Sequence, residues 1–232
     1  MTTIFTAWQG VQSRIGIAAT ACARQPDAIT LLAVSKTFPA SAVRELYEFG
    51  QRHFGENYVQ ELQEKAAALS DCPDLVWHFI GPLQSNKTRI VAETADWVHS
   101  VDRLKIAERL SQQRPEHLAP LQVCLQVNVS GEQSKSGVRP AEAPALARAI
   151  SRLPNLQLRG MMCIPDPDAG QEALSQQFAL LRQLQEQLRA TDALPLDTLS
   201  MGMSGDLELA IREGSTMVRI GTAIFGARTA KG

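Results

Sequence analysis

An apolar run ends in a lysine at Thr30-Leu31-Leu32-Ala33-Val34-Ser35-Lys36-Thr37. Small and branched apolar residues followed by polar ones read as a strand buried on both faces, the pattern of parallel sheets. Lys36 then stands at the carboxyl end of that strand, where parallel α/β folds open their loops and gather reacting groups. Partly desolvated there, a lysine has the chemistry of an amine nucleophile toward an aldehyde, whereas one that snorkels its ammonium into water has none. Two other stretches suit an anion. Met203-Ser204-Gly205-Asp206 joins a hydroxyl able to cap a helix to a glycine that lets an anion reach the backbone, and Ile220-Gly221-Thr222 repeats glycine and hydroxyl. An ordinary cap and turn at Ser204-Gly205, with Gly221 relieving crowding, would account for the same residues. Asp206 would compete for the helix dipole unless it points away. Arg219 lies among apolar neighbours, so a buried ion pair or a ligand must offset its charge.

These side chains need elements to position them. With 232 residues, 44% of them apolar, the chain can bury a sizeable core. Its 23 basic and 24 acidic residues leave a net charge of −1, which gives no overall drive toward nucleic acid or an anionic membrane. The amino terminus has neither a basic segment nor a long apolar one, and no apolar run reaches 18 residues, so a soluble, cytoplasmic protein is expected. Cys22, Cys72, Cys124 and Cys163 form no C-x-x-C pair, and His53, His78, His99 and His117 are too dispersed for a zinc site; no metal is expected.

Along the chain, apolar residues at helical spacing over 4–24 predict a helix outside the first strand. Strands are predicted at 30–37, 53–57, 76–81, 97–101, 121–129, 156–164, 198–203 and 217–225. Helical patterns separate them, one opened by Pro39 and ended by Gly50, another opened by Asp102, and the clearest over 170–190. No Ser/Gly/Pro-rich linker divides the alternation. The expectation is an α/β fold, a single (β/α)8 TIM barrel over residues 1–232 with an extra N-terminal helix. An open doubly wound sheet is the alternative, but no G-x-G-x-x-G follows the first strand.

In such a barrel, a lysine after strand one, a phosphate cradle after strands seven and eight, and an arginine beside it together suggest pyridoxal 5′-phosphate (PLP), with the lysine forming a Schiff base. Ala33-Val34-Ser35-Lys36-Thr37, His53-Phe54-Gly55-Glu56-Asn57, the stretch from Trp77 to Lys87, Leu199 to Asp206 and Val218 to Gly226 are five ordered motifs. Through them the sequence resembles the pyridoxal phosphate homeostasis proteins, the YggS/PROSC group. The resemblance implies the barrel of fold type III, similar to the N-terminal domain of alanine racemase. It also implies a carrier or regulator of the vitamin B6 pool without established turnover, and so not an enzyme. It assigns the cofactor's aldehyde to Lys36, its phosphate to Ser204, Gly205, Gly221 and Thr222 with Ser200 nearby, and its pyridine nitrogen to Arg219. Arginine keeps its proton, so that nitrogen would remain an acceptor and the ring a poor electron sink. Asn57 either hydrogen-bonds ring substituents or caps the next helix.

The alternative activity is a PLP-dependent amino-acid racemase. Two-base racemisation needs a second acid/base on the other face of the cofactor, and in the resembling racemases a tyrosine from an additional domain of the partner subunit supplies it. Tyr47 and Tyr58 fall on or beside outer helices, where core packing is expected. Gln133-Ser134-Lys135-Ser136-Gly137 offers either a second amine for cofactor transfer or a solvated loop. Asn86-Lys87-Thr88-Arg89 reads as an exposed helix face or an anion surface. PLP and, as recipients, PLP-dependent apo-enzymes are the expected partners, with no nucleic acid and no membrane, and the expected state is a monomer.

Overall fold

The computed structural model describes residues 3–132, 136–166 and 168–227. Among them, eight strands close into a barrel in sequence order, each hydrogen-bonded in parallel to the next. They are β1 (Thr30–Val34), β2 (His53–Glu56), β3 (Val76–Phe79), β4 (Trp97–Val101), β5 (Leu121–Gln126), β6 (Leu156–Met162), β7 (Thr198–Ser200) and β8 (Met217–Ile220). Closure occurs between β1 and β8, where Ala33 lies opposite Ile220. Near-continuous burial along β1, β4, β5 and β8 is what a sheet covered on both faces requires.

The covering helices in the described residues are α1 (Ile4–Ala21), α2 (Ala40–Glu48), α3 (Val59–Ala68), α4 (Thr88–Thr94), α5 (Leu104–Gln113), α6 (Ala143–Ile150), α7 (Gln171–Asp192), α8 (Leu207–Arg212) and α9 (Thr222–Phe225). Val11, Ile15, Ala18 and Ala19 form the buried face of α1, which packs on α2, α8 and α9. The bidentate pair of Arg14 with Glu208, at 2.7 and 2.9 Å, fastens α1 to α8, and Arg14 also donates to the Ser204 carbonyl at 3.1 Å. The extra helix therefore grips the segment that follows β7.

Several boundaries differ from the sequence pattern. Strand eight stops at Ile220, and residues 222–225 turn into α9, with the Ile224 and Phe225 amides donating to the Gly221 carbonyl. Ile224 and Phe225 stay buried, so an apolar run continues while its backbone changes from strand to helix. The cap of α5 is Arg103, not Asp102; the two side chains pair with each other at 2.7 Å. Asp206, not Ser204, caps α8. Tyr58 does not pack in the core: it is exposed beside the start of α3, while the Tyr47 hydroxyl donates to Asp74.

Candidate cofactor site

At the carboxyl ends of the strands a cavity of about 280 Å³ opens, just below the roughly 300–1,000 Å³ of ligand sites. Lys36 and Asn57 line one side, following β1 and β2; Ser204, Gly205, Gly221 and Thr222 line another, following β7 and β8. Arg219 faces it from within β8, and Ile80, Ile164 and Met203 give it apolar wall. Seven of the eight residues proposed from sequence thus meet around one space. Ser200 is the exception: fully buried at the end of β7, it lies behind Arg219, where its hydroxyl accepts from Nη1 at 2.9 Å. Gln133, Ser134 and Lys135, the segment of the suggested second amine, lie outside the described residues.

Lys36 is half-buried, and the residues on either side of it are pinned. Lys65 on α3 donates to the Ser35 carbonyl at 2.8 Å, to Glu56 at 2.6 Å and to Glu61 at 3.1 Å. The Ser35 hydroxyl donates to Glu56 at 2.6 Å. On the other side, the Thr37 amide donates to Glu61 at 2.7 Å. Thr37 has a φ of 68°, a left-handed conformation costly for a β-branched residue, so the Glu61 contact holds a strained turn. Burial pushes the Glu56 carboxyl up to about 7 against the opposing pull of Lys65. None of these three charged residues was singled out from sequence; a glutamate and a lysine nine residues apart, on a strand and the following helix, were the available signal.

Asn57 does not cap α3; Tyr58 holds that position with no side-chain bond. Its Oδ1 is buried without a partner in the wall of the cavity, an arrangement that calls for a donor from a bound group. Gly81 makes this placement possible, because a Cβ there would lie 2.1 Å from the Asn57 carbonyl oxygen.

On the opposite side, Asp206 turns its Oδ1 back to accept from the Met203 amide at 2.5 Å, so its carboxylate caps its own turn. Ser204 Oγ accepts from the Ala223 amide at 3.3 Å, which ties the turn after β7 to the start of α9. The first amides of a helical turn have no acceptor within it, and here they stand beside two glycines and two hydroxyls. These parts fit a phosphate. Arg219 makes no ion pair among the described residues. Nη1 donates to the Ser200 carbonyl at 2.6 Å as well as to its hydroxyl, and Nη2 donates to the Cys163 carbonyl at 2.8 Å. Of the five guanidinium hydrogens, that leaves one on Nη2 and the one on Nε for a group in the cavity.

The alanine racemase N-terminal domain model matches residues 17–229. The chain is 61% identical over 228 residues to the pyridoxal phosphate homeostasis protein of Pseudomonas aeruginosa, covering 98% of this chain and 97% of that one. The chain belongs to the alanine racemase N-terminal domain family, among the pyridoxal phosphate homeostasis proteins. In this family, PipY of Synechococcus elongatus has been solved with PLP bound; it is 42% identical, with a TM-score of 0.81 over 91% of this chain and all of PipY. Alanine racemase of Corynebacterium glutamicum, 17% identical with a TM-score of 0.68, shares the fold, and the chain spans 62% of its length.

Cys72, Cys124 and Cys163 are buried and Cys22 is half-buried. Cys124 and Cys163 are fully buried, and desolvation pushes both thiols up to about 12. His53, His78 and His99, scattered in the sequence, are brought into mutual contact.

Proposed function

We propose that the chain binds PLP and serves intracellular PLP homeostasis, holding the cofactor on Lys36 without turning over a substrate. The observation that carries this reading is the convergence of Lys36, the unpartnered Asn57 oxygen, two glycine–hydroxyl turns and Arg219 on one ligand-sized cavity. Ser204, Gly205, Gly221 and Thr222 would hold the phosphate, Asn57 a ring substituent and Arg219 the pyridine nitrogen. PLP supplies an electrophilic aldehyde, which the Lys36 amine would bind covalently. A guanidinium at the ring nitrogen offers a hydrogen bond but does not yield its proton, which disfavours carbanion chemistry. Among the described residues lining the cavity none is a tyrosine, histidine or carboxylate, so this chain's own lining supplies no second acid/base for racemisation.

The described residues contain no helix long and apolar enough to cross a membrane. In the cell the protein would act as a cytoplasmic monomer that exchanges PLP with apo-enzymes. Purified protein supplied with PLP is expected to be yellow. Lys36→Ala is expected to lose that absorbance and to keep its far-ultraviolet circular dichroism. Unchanged colour in a folded Lys36→Ala protein would overturn the assignment. Loaded protein mixed with an apo-enzyme and a scavenger of free PLP separates direct transfer, which activates the enzyme despite the scavenger, from release.

A further inference from the structure

Three histidines and a serine form an unbroken chain of hydrogen bonds across the barrel interior. His53 Nδ1 lies 2.9 Å from His78 Nε2, His78 Nδ1 lies 2.9 Å from His99 Nε2, and His99 Nδ1 lies 2.7 Å from Ser200 Oγ. Ser200 Oγ in turn accepts from Arg219 Nη1. His78, His99 and Ser200 are completely buried, Arg219 is 5% exposed, and His53 reaches partial exposure where β2 begins. Trp97 stacks on the His78 ring with centroids 5.4 Å apart, which fixes the plane of the middle imidazole.

The chain has one direction in which every hydrogen between Arg219 and His53 Nδ1 is used. Arginine only donates, so Ser200 Oγ accepts from Arg219 and has its own hydrogen to give. If it gives that hydrogen to His99 Nδ1, then His99 carries its proton on Nε2 and donates to His78 Nδ1. His78 likewise donates from Nε2 to His53 Nδ1. In the opposite direction, His99 would donate to a serine oxygen already receiving from Arg219, and the serine hydrogen would have no acceptor among the described residues.

We propose that His78 and His99, with His53 behind them, are positioning residues that act through Ser200 to hold the Arg219 guanidinium in its cavity-facing orientation, all three imidazoles being neutral and protonated on Nε2. Without an acceptor at His99 Nδ1 the Ser200 hydroxyl is free to rotate, and Nη1 loses a fixed partner. The carbonyls of Ser200 and Cys163 then remain as the only contacts that aim the group among the described residues. This inference rests on the proposed role of Arg219 at the cofactor ring.

Two measurements test it. Long-range proton–nitrogen correlation spectra of ligand-free, nitrogen-15-labelled protein near neutral pH read the tautomers directly. The expected result is three imidazoles with an acceptor-type Nδ1 and a protonated Nε2. A proton on Nδ1 of His99 would overturn the proposed direction. The second measurement is PLP dissociation from folded variants. His99→Leu is expected to weaken retention by about tenfold or more, the worth of one hydrogen bond to a charged group. His99→Asn, whose amide oxygen reaches the position of Nδ1, should recover most of it. A folded His99→Leu protein that holds PLP as tightly as wild type overturns this inference alone, whereas wild-type protein that takes up no PLP overturns the functional reading on which it rests.

Discussion

A buried oxygen with no partner normally costs stability, and Asn57 carries one in the wall of the cavity. Removing it should therefore act oppositely on fold and function. For Asn57→Ala we expect the unfolding midpoint in urea to stay the same or rise slightly, while PLP retention drops by about tenfold, the loss of one good hydrogen bond. A parallel fall in both would mean that the oxygen serves the fold and not a ligand. At this scale the sequence was informative where one residue type has few uses: a lysine ending a buried run, an arginine inside one, glycine beside hydroxyl after two strands. It was silent on Glu56, Glu61 and Lys65, because a carboxylate ending a strand and a charge pair at helical spacing look the same whether they face solvent or brace a buried turn. The resemblance set Ser200 near the phosphate, whereas its side chain points to Arg219 and His99.

The elements that carry the site fit so closely that backbone approaches backbone. Where the turn after β3 crosses the one after β2, a methyl group on residue 81 would sit 2.1 Å from a backbone oxygen, and that obstacle cannot rotate away as a side-chain end could. Gly81→Ala is expected to destabilise by about 1–3 kcal/mol through overpacking. In a chain of this size that is a fall of roughly 2–4 °C in melting temperature per kcal/mol. PLP retention should weaken too, because the segment displaced carries Asn57. Unchanged melting with unchanged binding would show that the two turns separate freely. Element types were readable from periodicity, but ends were not. Residues 217–225 form a nearly unbroken apolar run, and only the turn at Gly221 divides strand from helix. Short apolar runs do not distinguish the two by pattern. The same limit hid the cap of α5, since Asp102 is a good capping type that instead pairs with Arg103.

For the molecule as a whole, barrel closure converts sequence distance into contact. It sets β1 against β8, so that Gly221 comes within 3.3 Å of the Val34 carbonyl oxygen, counted from where its Cβ would be. It also gathers histidines 25 and 21 residues apart, one from each of three successive strands; spacing alone made them look scattered. The buried groups it collects have opposite pH responses. Burial holds His78 well below its ordinary value and His99 down to about 3, with His53 lowered as well. Unfolded imidazoles bind protons below about pH 6.5, so the stability these histidines contribute is present above that pH and lost as it falls. Glu56, raised from 4.5 to about 7, does the reverse: its contribution is full below about 4.5 and is lost as pH rises through about 7. Two deeply buried imidazoles outweigh one carboxyl. Unfolding free energy should therefore climb between pH 5 and 6.5 by on the order of 1–2 kcal/mol per pH unit, then level off near neutrality. Glu56→Gln removes the opposing contribution, and the climb should steepen by about 1 kcal/mol per unit, the value of one proton. Urea titrations of both proteins at half-unit intervals read this directly. A flat wild-type profile, or a Glu56→Gln profile of the same slope, would mean that these groups are not held at the protonation states their burial implies.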